Sequence, residues 1–139
     1  MTRRIWIGFF AVFLATQTFE GLINFYVLGP VYSQWSHLWR PIAEVKFWML
    51  PFTGMFFSFF FTFIFSKGYE KGSLVEGIRY GFYVAMMVSL PHAYATYALM
   101  QIPYSVALRW FVFGTIEFVL AGAILALVFK QGPEMPPAP

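Results

Sequence analysis

Four long apolar runs constrain this chain more than any other feature: residues 5–28, 47–65, 78–102 and 105–129. Each is close to or above the roughly 20 residues an α-helix needs to cross about 30 Å of hydrocarbon. In lipid every backbone N–H and C=O must find a partner within the protein, so spanning segments are helices or closed barrels. Runs of this length without strict alternation read as helices. The expected fold is therefore all-α: an antiparallel four-helix transmembrane bundle forming one domain over residues 1–130. Composition agrees. The chain is 60 % hydrophobic and 11 % charged, against about 45–50 % and about 25 % in soluble proteins.

The start, Met1-Thr2-Arg3-Arg4 before an apolar stretch, has the charge pattern of a signal peptide. The stretch runs on to Leu28, well past the roughly 7–15 residues of a signal core, so it is read as a retained helix. Gly29-Pro30 closes the first helix, and Pro103 separates the third and fourth in a tight hairpin. Residues 66–77 (SKGYEKGSLVEG) read as a short polar loop. Residues 131–139 (QGPEMPPAP) read as an extended, Pro-rich cytoplasmic tail.

Lys and Arg accumulate on the cytoplasmic side of membrane proteins. Arg3, Arg4, Lys67, Lys71, Arg79 and Lys130 fall on one side, and Arg40, Lys46 and Arg109 on the other. Six against three places both termini in the cytoplasm, with Arg79 and Arg109 snorkelling outward from just inside their helices. The connection over residues 31–45 is rich in tryptophan. Trp35, Leu38, Trp39 and Ile42 recur at helical spacing, while Pro41 interrupts it. This segment is either a short interfacial helix or an aromatic loop, with Trp35, Trp39 and Trp48 at headgroup level.

Ionisable groups within a membrane are expensive and need an explanation. At 1.5 Å per residue, Glu20, His92 and Glu117 lie about 22, 21 and 20 Å from the cytoplasmic edge. They share one level, which Thr53 also reaches. Gln17, Glu20 and Asn24 lie on one face of the first helix. Ala85, Ser89, His92 and Thr96 form a small, polar stripe on the third, and Gly114, Glu117 and Ala121 do the same on the fourth. Pro91 should kink the third helix beside His92. Gly77 and Gly81 form a GxxxG pair suited to close helix packing.

The layer admits two readings. Glu20, His92, Glu117, Gln17, Asn24, Ser89 and Thr96 could surround a site for protons, a cation or a small ligand. The same groups could equally be interhelical glue, with the glutamates neutral or paired to His92. Two Glu and one His suit zinc or iron by type, yet the Glu-x-x-His spacing of di-iron bundles is missing, and no metal is expected. Cysteine is absent, which excludes disulfides, thiolate metal sites and iron–sulfur clusters. Walker, Rossmann and nucleophile-elbow patterns are missing too. No cofactor is expected, and the scattered net charge of +3 offers no nucleic-acid surface.

Several stretches resemble a family of small bacterial four-helix integral membrane proteins without an assigned function. They are Leu38-Trp39-Arg40-Pro41, the run Phe65-Ser66-Lys67-Gly68-Tyr69-Glu70, and Glu76-Gly77-Ile78-Arg79-Tyr80-Gly81. Pro103-Tyr104-Ser105 leading into Trp110, and Gly114-Thr115-Ile116-Glu117, also belong. The resemblance covers residues 38–129 and implies four helices and a bacterial inner membrane, but no reaction. The expected function is a non-enzymatic accessory or structural subunit of a larger membrane complex, in contact with the lipid bilayer and with a membrane-protein partner or further copies of itself. The alternative is a small transporter or proton-coupled carrier that uses the Glu/His layer.

Overall fold

The computed structural model describes residues 2–130, so the Pro-rich tail expected at 131–139 lies outside the described residues. The described residues form five α-helices: α1 (Thr2–Leu22), α2 (Gly29–Gln34), α3 (Met49–Gly68), α4 (Leu74–Leu99) and α5 (Tyr104–Phe129). A π-helical segment, Ile23–Leu28, joins α1 to α2, so Arg3–Gln34 is one continuous helical rod. Among the described residues that rod, α3 and α5 are the three helices long and apolar enough to cross a membrane. The residues that make α4 more polar, among them Glu76, Arg79, Ser89 and His92, set it apart.

The helix ends differ from expectation for local reasons. The first rod does not stop at Gly29-Pro30. Pro30 falls in the first turn of α2, where its missing N–H is tolerated, and the wide π turn before it makes room for its ring. Helix α4 starts at Leu74 because Ser73 and Glu76 form a complete capping box. That Ser-x-x-Glu signal lies within residues 66–77, which are therefore not all loop. The hairpin turn begins at Met100, one turn earlier than expected, and Met100 is extended. Helix α4 runs unbroken through Pro91.

Between α2 and α3 no single helix forms. Two 3-10 turns, Ser36–Leu38 and Ile42–Glu44, are separated by extended backbone at Trp39 and Pro41. Proline disfavours helix in the residue before it, and Pro41 divides the segment.

Helix α5 occupies the middle. It packs on α4 most extensively, then on α1, and only lightly on α3, which leans chiefly on α1. The α4–α5 contact is set by small residues. Gly77, Gly81, Ala85, Ser89 and Ala93 are all buried and follow at intervals of four. A methyl group on Gly77 would run into the Gly122 carbonyl, and one on Gly81 into the Phe118 carbonyl. Ser89 lies against Gly114. Numbers rise along α4 as they fall along α5, so the pair is antiparallel. Without a hydrophobic drive between helices in lipid, such close backbone approach supplies the van der Waals contact that holds them.

Two apolar clusters bracket the molecule. One joins Val12, Phe61, Phe65, Leu125 and Phe129 near the Arg3 end. The other gathers Ile102, Val106 and Ala107 under Tyr32, Leu38 and Trp110 at the opposite end. Tyr80 of α4 donates its hydroxyl to the Phe61 carbonyl of α3 at 2.7 Å. The loop from α3 to α4 wraps a carboxylate. Glu76 accepts from the backbone N–H groups of Glu70, Lys71 and Ser73, and Gly72 turns the chain there with φ +62°.

Candidate functional site

Between the two clusters α1, α2, α4 and α5 enclose a half-open cavity of about 320 Å³. Its walls include Glu20, Asn24, Ser89, His92 and Glu117, five of the seven residues expected in the polar layer. Depth separates them. Glu117 and Ser89 are buried, 8 % and 6 % exposed, whereas Glu20, Asn24 and His92 are exposed and stand towards the mouth.

Gln17 and Thr96 do not join. The Gln17 amide lies against Gly54 of α3, on another side of α1. Thr96 is half-buried, and its carbonyl accepts the Met100 N–H that closes α4. Thr53 of α3, expected at the same depth, turns its hydroxyl back to the Met49 and Leu50 carbonyls. Pairing of the glutamates with His92 is not observed among the described residues. The imidazole instead lies over Trp110, with ring centroids 5.2 Å apart.

The π segment orders one wall. Eight residues along a regular α-helix would leave Asn24 and Tyr32 about 80° apart around the axis. The wider π turn absorbs that offset, and the two side chains meet. Tyr32 donates to Asn24 Oδ1 at 3.2 Å and accepts from Trp110 Nε1 at 2.7 Å. Asn24 Nδ2 donates in turn to the Glu20 carbonyl at 2.9 Å. A chain of hydrogen bonds thus runs from α5 through α2 to α1 beside the cavity. Short π segments recur at functional sites because they re-aim side chains in this way. Arg109, expected to snorkel outward, donates to the Val27 carbonyl of the same segment at 3.4 Å.

Tyr32 and Trp110 are the members of this wall that sequence reasoning missed. The available signal was the need of a buried Tyr or Trp for a polar partner. The tryptophans expected at the interface divide. Trp48 is 63 % exposed, and Trp35 is half-buried beside His37. Trp39 folds onto Tyr32 at 5.0 Å and Trp110 at 6.1 Å, and its buried indole N–H has no partner among the described residues.

A second cavity, of about 220 Å³, lies between α1 and α5 on the Arg3 side of Glu117. Thr16, Leu120 and Ile124 line it, and Glu117 borders both cavities. Among the described residues no three His, Asp or Glu side chains are placed to hold a metal ion. The chain matches no protein-family model, no curated protein and no solved structure.

Proposed function

We propose that this chain is a small, non-enzymatic, multi-pass membrane carrier that uses the Glu20–His92–Glu117 layer to handle a proton or other cation. One observation supports this above the rest: the buried carboxyl of Glu117 borders two cavities that lie towards opposite ends of α5. A carrier needs a midplane site reachable from each side in turn. The titratable groups sharing the larger cavity with it are Glu20 from α1, Tyr32 from α2 and His92 from α4. In this reading α4 is a fourth crossing. Its 26 residues would extend about 39 Å, and its Ser89 is buried against α5. The bundle is then antiparallel with both termini cytoplasmic, by the six-to-three distribution of Lys and Arg. The resemblance to small bacterial membrane proteins favours the inner membrane.

Reconstituted proteoliposomes test the proposal. With an internal pH dye and an imposed membrane potential, the native chain should carry protons faster than empty vesicles. Glu117→Gln keeps the shape of a protonated acid but releases no proton, and should abolish the excess flux. Equal flux in that variant would sink the carrier.

A specific observation also favours the accessory-subunit reading. Trp6, Phe9, Phe10, Phe56, Phe59 and Phe60 line a wholly apolar cleft of about 520 Å³ between α1 and α3. A membrane partner or a second copy could seat there. Mass spectrometry of gently solubilised membranes should then find the chain in a larger assembly, and a monomer throughout would remove this alternative.

A further inference from the structure

The cavity beside Glu20, His92 and Glu117 has walls of a particular chemistry. It contains two carboxylates, Glu20 and Glu117, and none of the described residues lining it is Lys or Arg. Glu117 is nine-tenths buried, and among the described residues nothing donates a hydrogen bond to its carboxyl. The carboxyl stands at the cavity wall, where a bound cation would supply the partner it lacks. The remaining wall includes the aromatic side chains of Phe19, Tyr32, Trp110, Phe113 and Phe118, with His92 at the mouth. Ring faces carry negative potential, attract ammonium groups and cover apolar substituents.

Other ligand classes fit less well. An anion would meet two carboxylates in a poorly hydrated space. A neutral apolar molecule would leave Glu117 without a partner. A hard metal ion needs about six or more oxygens at short, fixed distances, and no cluster of even three ligating groups is assembled among the described residues. The volume of about 320 Å³ lies at the small end of the roughly 300–1,000 Å³ typical of ligand pockets. It suits one ring with a compact charged group. The exposed positions of Glu20 and His92 leave a way in.

We propose, resting on the carrier reading, that this cavity binds a small lipophilic organic cation. Its ammonium group sits between Glu117 and Glu20, and its apolar part lies against the Phe19, Trp110 and Phe118 rings. Deep burial of Glu117 makes it the main anchor. Glu20, at the mouth, draws the cation in and contributes less.

Benzyltrimethylammonium is a suitable probe, with neopentylbenzene as its neutral counterpart of the same shape, carbon replacing nitrogen. Calorimetric titration of the purified full chain in detergent should give saturable binding of the cation. Glu117→Gln should weaken it at least tenfold, and Glu20→Gln, at an exposed position that does not endanger folding, by a smaller factor. Neopentylbenzene should not displace the cation. Unaltered binding in both variants, or displacement by the neutral analogue, overturns the proposal. The carrier reading fails separately. If the cation does not bind while Glu117-dependent proton flux persists, the ligand class is wrong and the carrier stands. Absence of both removes the two together.

Discussion

Trp110 of α5 donates its indole N–H to the hydroxyl of Tyr32 of α2 across 2.7 Å, joining residues 78 positions apart. The same hydroxyl donates to Asn24, so one oxygen couples three helical segments at the wall of the cavity. Both of its hydrogen-bonding roles are used, which defines the orientation of α2 relative to α5.

Tyr32→Phe keeps the ring and removes that oxygen. The Trp110 N–H and Asn24 Oδ1 both lose their partner. A net hydrogen bond is worth about 0.5–1.5 kcal/mol, and a buried donor left unmatched costs about 1–3 kcal/mol. The variant should melt lower in detergent by circular dichroism, with a loss in that range. Its Trp110 should also become more accessible to aqueous quenchers. An unchanged melting temperature and unchanged quenching would refute the coupling.

Gly81→Ala tests the α4–α5 seam. Its new methyl would meet the Phe118 carbonyl, a backbone atom that can yield only if the helices part. Overpacking of this kind typically costs about 1–3 kcal/mol. Gly21→Ala, where nothing lies within 4 Å, is the matched control and should be neutral or mildly stabilising. Equal melting of the two variants would count against the close approach of α4 to α5.

Ser58 and Thr62 are fully buried on α3, and neither hydroxyl has a hydrogen-bond partner among the described residues. Removing an unmatched buried polar group while keeping the volume should stabilise. Thr62→Val is nearly isosteric and should raise the melting temperature, consistent with relief of part of an about 1–3 kcal/mol penalty. A lower melting temperature would mean that the hydroxyl makes a bond in the membrane.

The Glu76 carboxyl, in the loop and first turn of α4, gives a pH dependence. Burial raises its pKa, but hydrogen bonds from the backbone N–H groups of Glu70, Lys71, Ser73 and Gly72 outweigh this and hold it below the ordinary carboxylate range. A depressed folded-state pKa favours the folded chain above the unfolded value of 4.5 and loses that advantage as pH falls through the folded one. Native stability should therefore drop on acidification below about pH 4.5 by more than that of Glu76→Gln, which lacks the ionised acceptor. Parallel acid profiles would show that the wrapped carboxylate contributes nothing. Ser73→Ala removes the other half of the capping box and should cost about 0.5–2 kcal/mol.

Helical character and the positions of α3 and α5 to within a few residues followed from residue order alone, and Glu20, His92 and Glu117, expected at one level, line one cavity. Chain length through lipid and the rise per residue are one-dimensional quantities, and hydropathy reports them directly. The start of α4 at Leu74 had a local signal in the capping box of Ser73 and Glu76, although residues 66–77 read as loop. Rotation about each helix axis had no such signal. Gln17 and Glu20 share a face on a regular helix, yet packing turned Gln17 to α3 and left Glu20 at the cavity. The continuation of the first rod past Pro30, the π turn that brings Tyr32 over Asn24, and the partnership of Trp110 with Tyr32 depend on contacts between segments far apart in sequence. Such contacts form only when whole helices choose their neighbours, by the close fit of small residues and the need of each buried polar group for a partner. The amino-acid order thus determined which residues lie at the depth of the cavity; tertiary packing decided which of them line it.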